Sequence, residues 1–495
     1  MMAMILSIDQ STSGTKGLLW DDQGRLVSRV DIPHRQITND RGWVSHDPAD
    51  LYHNSVRAAA LALEKAGTEP GAVAVIGLSN QRETAVCWDR HTGEALCDAV
   101  VWQCNRALDF IREIEYPGFA AEVRSVTGLN LSPYFSAAKF GWMVRNVPAV
   151  KAARDRGRLC CGTVDAWLLF KLTGGRVFRT DYSNASRTQL LDLDTLGWNE
   201  ALVKTFGLTP ESLPEIALSD SCFGETSMEG LFKTPVPIHG VLGDSHAALF
   251  AHQCLEPYSA KATYGTGTSV MMNAGPRRPA PAEGIVTSLA WGMKDGIPFV
   301  LEGNINYSGA VIKWLVEDME LLKNPGDAGE IASSVEDTGG VYLVPAFSGL
   351  GAPYFKDTAR AALVGMNRGT KRAHLIRAAE ECIAYQIRDV IEVMNGSSPR
   401  PLAVLKVDGG GCKDRFLTAF QADILGVDLE ISENGELSGA GAAYNAAIGA
   451  GLAPGEQFFL HKGGTRLGPS MDGEKRDRLY QGWRRAVAAA AAFTL

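Results

Sequence analysis

Three segments rich in glycine, threonine and serine follow apolar runs in this chain, at residues 9–16, 264–269 and 408–411. Backbone N–H groups in such loops can approach phosphate oxygens closely, because glycine has no Cβ, and Thr and Ser hydroxyls add donors. One loop of this kind is usually only a turn; three of them, two in a repeated setting, point to phosphate. No GxxxxGK[ST] occurs, so the chain carries no P-loop. Asp9 stands at the end of a strand ahead of the first loop, where a carboxylate makes sense if Mg2+ accompanies the phosphates. The alternative is an Asp that caps its own turn. Lys16, at the far end of that loop, is either a partner for a transferring phosphate or a solvated surface lysine.

Asp244, in Gly243-Asp244-Ser245-His246, lies between an apolar strand end and the helical Ala247–Phe250. Phosphoryl transfer to a hydroxyl needs a carboxylate that orients the nucleophile and accepts its proton. An N-cap for the following helix explains the same residues, and spacing does not choose between the two. Asn80-Gln81-Arg82-Glu83-Thr84 directly follows a core strand, at the edge where α/β folds bind ligands. Arg82 and Glu83 supply donors and acceptors for neighbouring hydroxyls, or form a local ion pair. Trp102 and Tyr134 have polar reach, with core packing as their default.

The elements that must position these residues read as strands and helices in alternation. Strands are expected at Met4–Ile8, Gly17–Trp20, Arg25–Ile32 and Ala72–Ser79, with a helix from Ala49 to Gly67 started by Asp47-Pro48. A comparable layout recurs at Ala260–Thr263, Val270–Asn273, Thr287–Trp291 and Phe299–Glu302, followed by a helix from Ser308 to Leu322. Pro401–Asp408 reads as a strand, and an Ala-rich helix closes the chain near Arg478–Phe493. Gly439 and Gly441 read as small residues for helix packing. At 495 residues the chain is too long for one core. Two domains are expected, residues 1–250 and 251–495, with the phosphate loops on a shared cleft.

Composition narrows the function. Apolar residues make up 45% and charged residues 21%, as in ordinary globular proteins. A net charge of −8 argues against a nucleic-acid partner. No apolar run reaches the roughly 20 residues that span a bilayer, and the amino terminus lacks a signal-peptide pattern. The nine cysteines show no zinc spacing and fit reduced thiols, so a cytoplasmic location is expected.

Taken together the segments resemble the FGGY family of carbohydrate kinases over nearly the whole length, and within it the bacterial glycerol kinases. The resemblance is carried by Gly42–Pro48, Asn80–Thr84, Val101–Cys104, Pro133–Ser136, Gly162–Asp165, Asp181–Thr188, Tyr264–Gly267 and Gly349–Tyr354, and by two family signatures at Tyr134–Trp142 and Ala361–Asp389. It implies an α/β chain of two actin-like ATPase (ribonuclease H-like) domains with ATP and a small polyol or sugar in the interdomain cleft. It makes Asp244 the base that activates a primary hydroxyl, with Arg82, Glu83 and Tyr134 bonding the substrate and Trp102 packing on its carbons. Asp9 would face Mg2+ through water. Thr12, Ser13 and Thr266, with Gly14, Lys16 and Gly267 of the same loops, would lie along the phosphates, and Gly309 and Gly410 would border the nucleotide. It also allows a homo-oligomer.

Departures from the family pattern bear on substrate choice. Ser245 replaces the Gln usual after the base, and Ser269 replaces a Phe that packs on glycerol's carbons. Both free volume and favour a longer polyol. Asn304-Ile305-Asn306-Tyr307 replaces an apolar segment. Lys313 stands for a Gln and Asp414 for an Asn beside the nucleotide. The expected activity is glycerol phosphorylation, with a four- or five-carbon polyol or ketose as the alternative and a non-catalytic actin-like binder as a further one.

Overall fold

The computed structural model describes residues 3–452 and 464–493. The chain opens with β1 (Met4–Gln10), β2 (Gly14–Trp20) and β3 (Leu26–Pro33), an antiparallel meander. Helix α1 (Pro48–Ala66) follows; the Asp47 carboxylate accepts from Ala49 N at 2.8 Å, Pro48 needs no donor in the first turn, and left-handed Gly67 closes the helix. Strand β4 (Val73–Asn80) then runs parallel to β1. Far along the chain β5 (Glu225–Thr226) and β6 (Val236–Gly243) complete a sheet ordered β5-β6-β4-β1-β2-β3, and α2 (Asp244–Ala251) leaves from the end of β6.

The second half repeats this plan. Strands β7 (Ala260–Tyr264), β8 (Thr268–Gly275), β9 (Val286–Leu289) and β10 (Phe299–Ile305) precede α3 (Gly309–Glu317) and the long α4 (Arg372–Gly396). They are followed by β11 (Val404–Gly409), α5 (Arg415–Leu425), β12 (Asp428–Ile431), α6 (Leu437–Gly449), β13 (Thr465–Leu467) and α7 (Gly473–Ala492). The sheet order is β9-β10-β8-β7-β11-β12-β13. In each sheet the first strand sits centrally, with an antiparallel meander on one side (β1-β2-β3 and β7-β8-β10). Two parallel strands lie on the other side (β4-β6 and β11-β12). This is the paired actin-like plan that the family resemblance implied.

Three expectations need correction. The loop at 9–16 is mostly strand: Asp9 pairs with Lys16 and Gln10 with Thr15, leaving only residues 11–13 as the turn. The helix expected to reach Leu322 ends at Glu317, because the chain folds back and the N–H groups of Leu321 and Leu322 bond to Leu315 O, which buries Leu322. The closing helix starts earlier than expected, at Gly473, where the Asp472 carboxylate caps it.

Helix α6 belongs by sequence to the second half but lies against β1, β4, β6 and α2 of the first. Small residues permit this approach. A Cβ at Gly441 would run into the Ala247 carbonyl, and one at Gly77 or Gly240 into the backbone of α6. Gly439 and Gly441 therefore serve helix packing, as read from the sequence. Gly441→Val is expected to destabilise the protein by about 2–3 kcal/mol through overpacking. Gly71→Ala, where a Cβ meets nothing within 4 Å, should leave the urea midpoint nearly unchanged.

Candidate active site

Parallel pairing of β1, β4 and β6 sets three chain ends abreast. Asp9 aligns with Ser79, Gln10 with Asn80, and Gly243 also with Asn80. Asp9, the Asn80–Thr84 segment and Asp244 therefore emerge along one sheet edge, the carboxyl edge where α/β sheets bind ligands. The second sheet does the same: Thr263 aligns with Asp408 and Tyr264 with Gly409, so the Gly265–Gly267 hairpin turn and Gly410 share an edge. Gly409, at a φ of 95°, packs where a Cβ would strike the Tyr264 carbonyl.

A buried charge cluster joins the two halves. Arg82 donates from both terminal nitrogens to Glu302 of β10, at 2.9 and 2.8 Å, and its Nε lies 3.3 Å from Asp244 Oδ1. Arg187 donates through Nε to Glu83 Oε1 at 2.6 Å and pairs with Glu302 Oε2 at 2.9 Å. Glu83 is held at a φ of 59°, a left-handed conformation that this network stabilises. Burial would raise the Glu302 carboxyl pKa, but Arg187 and Arg82 overcome it and hold the group well below the usual carboxylate range. Asp244 is not the N-cap of α2, which is Gly243; its carboxylate, 32% exposed, accepts from Ser245 N. Burial raises the Asp244 carboxyl pKa, with Arg82 opposing.

Trp102 and Tyr134 form one aromatic wall, with ring centroids 5.5 Å apart. The Trp102 Nε1 donates to Thr12 Oγ1 at 2.8 Å, so the Thr12 hydroxyl is tied to the wall. Tyr134 borders a cavity of about 330 Å³ with Arg187, Glu302, Asn304 and Asn306. Ser269 of β8 stands opposite Asn304 and receives Lys261 Nζ at 3.5 Å. Ser245 is half-buried beside the candidate base. Ser13 and Gly14 lie at the first hairpin, where the Ser13 carbonyl accepts from His34 N and the Gly14 carbonyl from Ser11 N.

Lys16 is not a solvated lysine. It donates to Glu436 at 2.9 Å and lies 3.4 Å from Asp9 Oδ2. Ser79 Oγ donates to the other Asp9 oxygen at 2.8 Å, and burial raises the Asp9 carboxyl pKa. Among the described residues no three His, Cys, Asp or Glu side chains cluster as a metal cage. A single carboxylate separated by one residue from the turn at residues 11–13 nevertheless fits Mg2+, which keeps several waters and takes one or two carboxylates plus substrate phosphates.

The remaining candidates share one cavity of about 500 Å³, bordered by Thr266, Gly309, Lys313, Gly410 and Asp414. Gly309 opens α3 with its N–H on Gly265 O. Gly267 does not line the cavity; a Cβ there would strike Ile305 O, so it serves the hairpin's packing. Asp414 also caps α5, accepting from Leu417 N at 3.0 Å. Lys313 reaches Glu317 at 3.5 Å.

Sequence reading passed over Glu302, Arg187 as an ion partner, and the group of Lys261, Thr263, Asp408 and His252. Lys261 Nζ donates to Thr263 Oγ1 at 2.9 Å, Thr263 in turn donates to Asp408 Oδ2 at 2.9 Å, and His252 Nε2 lies 2.7 Å from the same oxygen. Only the Leu301-Glu302-Gly303 context, a charge inside an apolar strand, signalled the first of these.

Two carboxylates and two phosphate-type turns on facing sheet edges define a phosphotransferase of the actin-like class. The N-terminal domain of the FGGY family of carbohydrate kinases matches residues 4–251 and its C-terminal domain residues 260–450. A glycerol kinase of Symbiobacterium thermophilum is 43% identical over 98% of both chains, and one of Carboxydothermus hydrogenoformans is 42% identical over 98% of both. Among solved structures, Plasmodium falciparum glycerol kinase with ADP superposes with a TM-score of 0.93 at 32% identity, covering 99% of this chain and 98% of that one. A xylulose kinase of Lactobacillus acidophilus, at 20% identity and a TM-score of 0.88 over 99% of each chain, shares the fold. The chain belongs to the FGGY family of carbohydrate kinases. It is an ATP-dependent phosphotransferase whose cofactor is Mg2+.

Removing one member of the buried cluster leaves charges unpaired. Glu302→Gln is expected to lower stability at pH 7 by about 3–5 kcal/mol in chemical denaturation. Because the folded pKa of Glu302 is depressed, its contribution is complete above the ordinary value of 4.5 and is lost as pH falls through the folded value. The gap between wild type and variant should therefore shrink steadily in acid.

Proposed function

We propose that this chain phosphorylates a primary hydroxyl of glycerol, giving glycerol 3-phosphate, with Asp244 as the base. The observation that carries the reading is the placement of Asp244. It stands at the edge of the first sheet, partly open, with Arg82 Nε 3.3 Å away and Arg82 itself locked onto Glu302. The division at residue 250 assigns the polyol and the first phosphate hairpin to residues 1–250 and the nucleotide to residues 251–495.

In this reading the polyol lies against Trp102 and Tyr134 and bonds Arg82 and Glu83. Asp244 accepts the proton of the attacking hydroxyl as its oxygen approaches the γ-phosphorus in line. Arg82 keeps the carboxylate ionised and aimed, and the raised carboxyl pKa makes it a better base than a solvated Asp. Thr266 and Gly410 present the phosphates from the opposite sheet, and Thr12, Ser13 and Gly14 do so from the first hairpin. Mg2+, held near Asp9 through water, would neutralise charge on the phosphates. Lys16 keeps Asp9 oriented and brings positive charge to the same place. The free thiols of all nine cysteines suit a cytoplasmic enzyme. A homo-oligomer is part of the same proposal and is checked by analytical ultracentrifugation.

Asp244→Asn is expected to lower kcat by 10²–10⁴-fold in a coupled ADP-release assay while ADP affinity stays within about twofold. Unimpaired turnover would refute the role. On the wild type the acid limb of kcat should fall as pH drops through the Asp244 pKa, which lies above the ordinary 3.8.

A second reading, phosphorylation of a tetritol or pentitol, is favoured by Ser269 standing opposite Asn304 where a Phe is usual. A screen of glycerol, dihydroxyacetone, tetritols, pentitols and ketoses decides between the readings. Efficient tetritol turnover with none on glycerol would overturn the first. Ser269→Phe should shift kcat/KM toward glycerol and away from any longer polyol by about 10–200-fold.

A further inference from the structure

We infer that Glu380 reads the nucleobase: from the wall of the cavity bordered by Thr266, Gly309 and Gly410, its carboxyl offers one donor and one acceptor to the amino-bearing edge of adenine. The inference rests on the reading of that cavity as the nucleotide site.

Glu380 lies on α4 and lines the cavity together with Tyr264, Ile312, Ile383 and Leu417, an apolar setting for a purine ring. The residue is 2% exposed, and its Oε2 has no hydrogen-bond partner. The next residue behaves differently: Glu381 is paired with Arg377 at 2.8 Å and receives the Tyr385 hydroxyl at 3.3 Å. A buried polar atom without a partner costs stability, and a leucine would fill the same place without that cost. Glu380 thus lines the cavity while its unpartnered Oε2 is enclosed, and a turn of the carboxyl brings that oxygen to a ligand there.

The charged groups facing it explain its state. Burial, reinforced by the nearby Asp414, pushes the Glu380 carboxyl up to about 8. Lys313 and Lys413 also line the cavity, but among the described residues no cation pairs with Glu380; Lys313 is directed to Glu317. At neutral pH the side chain is therefore a neutral acid, with one O–H donor and one carbonyl acceptor. A carboxyl kept neutral by an apolar site so that it can donate is an established chemical device. Adenine carries the complementary pair, the N6 amino donor beside a ring-nitrogen acceptor. Once ionised, the carboxylate accepts from N6 but repels the ring nitrogen.

The test is calorimetric binding of ADP, and of the diphosphate of purine riboside, which lacks the 6-amino group, to the full chain and to Glu380→Gln and Glu380→Leu. The neutral form binds, so ADP affinity is full below about pH 8 and weakens as pH rises through it, by about tenfold between pH 7 and pH 9. Glu380→Gln keeps a donor and an acceptor at every pH, so its affinity should stay flat over that range. Glu380→Leu should lose most of the preference for ADP over the amino-lacking analogue, which in the wild type is expected to be about tenfold. A merely structural Glu380 would move neither the pH profile nor the base preference. If both variants bind as the wild type does, with the same profile and preference, the inference is overturned. Glu380-dependent ADP binding in a chain that phosphorylates no polyol would sink the proposed function and leave this inference standing. Polyol turnover with base-indifferent binding would do the reverse, and failure of the wild type to bind ADP would overturn both.

Discussion

The structure depends on one buried ion network, in which Arg82 and Arg187 from the first half share the Glu302 carboxylate of the second. Charges removed from water are tolerated only when each has a partner with good geometry. Here the partners come from different halves of the chain, two loop arginines of the first and a strand carboxylate of the second, so the network is complete only when the halves meet in one arrangement. It also fixes the candidate base, because the guanidinium that grips Glu302 is the one beside Asp244. Register of the halves and ionisation of the base are thus controlled by the same atoms.

Around this network the repeated sheet places chemistry by strand pairing alone. Side chains distant in sequence, such as Asp9, Arg82 and Asp244, come to one edge because parallel strands end together. The facing edge supplies the hairpin at Gly265–Gly267 and the turn at Gly410. The aromatic wall links the two functions within the first half: Trp102 packs beside Tyr134 and donates to Thr12 on the phosphate hairpin. The side chain proposed to hold the polyol's carbons therefore also holds the loop proposed to face the phosphates.

Much of this was legible in sequence. Asp47-Pro48 announced α1, because capping and proline chemistry are local, and β1 was visible as a mostly apolar run broken only by Ser7 before Asp9, since both faces of a central strand are covered. The repeated layout of the halves could be read from strand order. Other features depend on partners far away in the chain. The loop at 9–16 looked polar because Asp9, Thr15 and Lys16 are polar, yet pairing between β1 and β2 made most of it strand. Lys261 looked like an ordinary strand residue, and Glu302 stood out only as a charge inside an apolar strand, until the fold placed them beside Thr263 and Ser269 and beside Arg82 and Arg187. The carboxyl of Glu380 was hidden in a helical run, where only the packing of α4 shows which of two adjacent glutamates lacks a partner.

The position of α6 has a consequence for biosynthesis. A face of the first sheet, composed by residues 4–243, is covered by a helix that leaves the ribosome only after residue 449. Strands complete early must wait through some two hundred further residues with apolar β1, β4 and β6 uncovered. At a synthesis rate of about 5–20 residues per second, that is an interval of about 10–40 seconds. During it the nascent first half exposes apolar surface of the kind that aggregates or is held by chaperones, and a chain truncated before α6 is expected to share that liability.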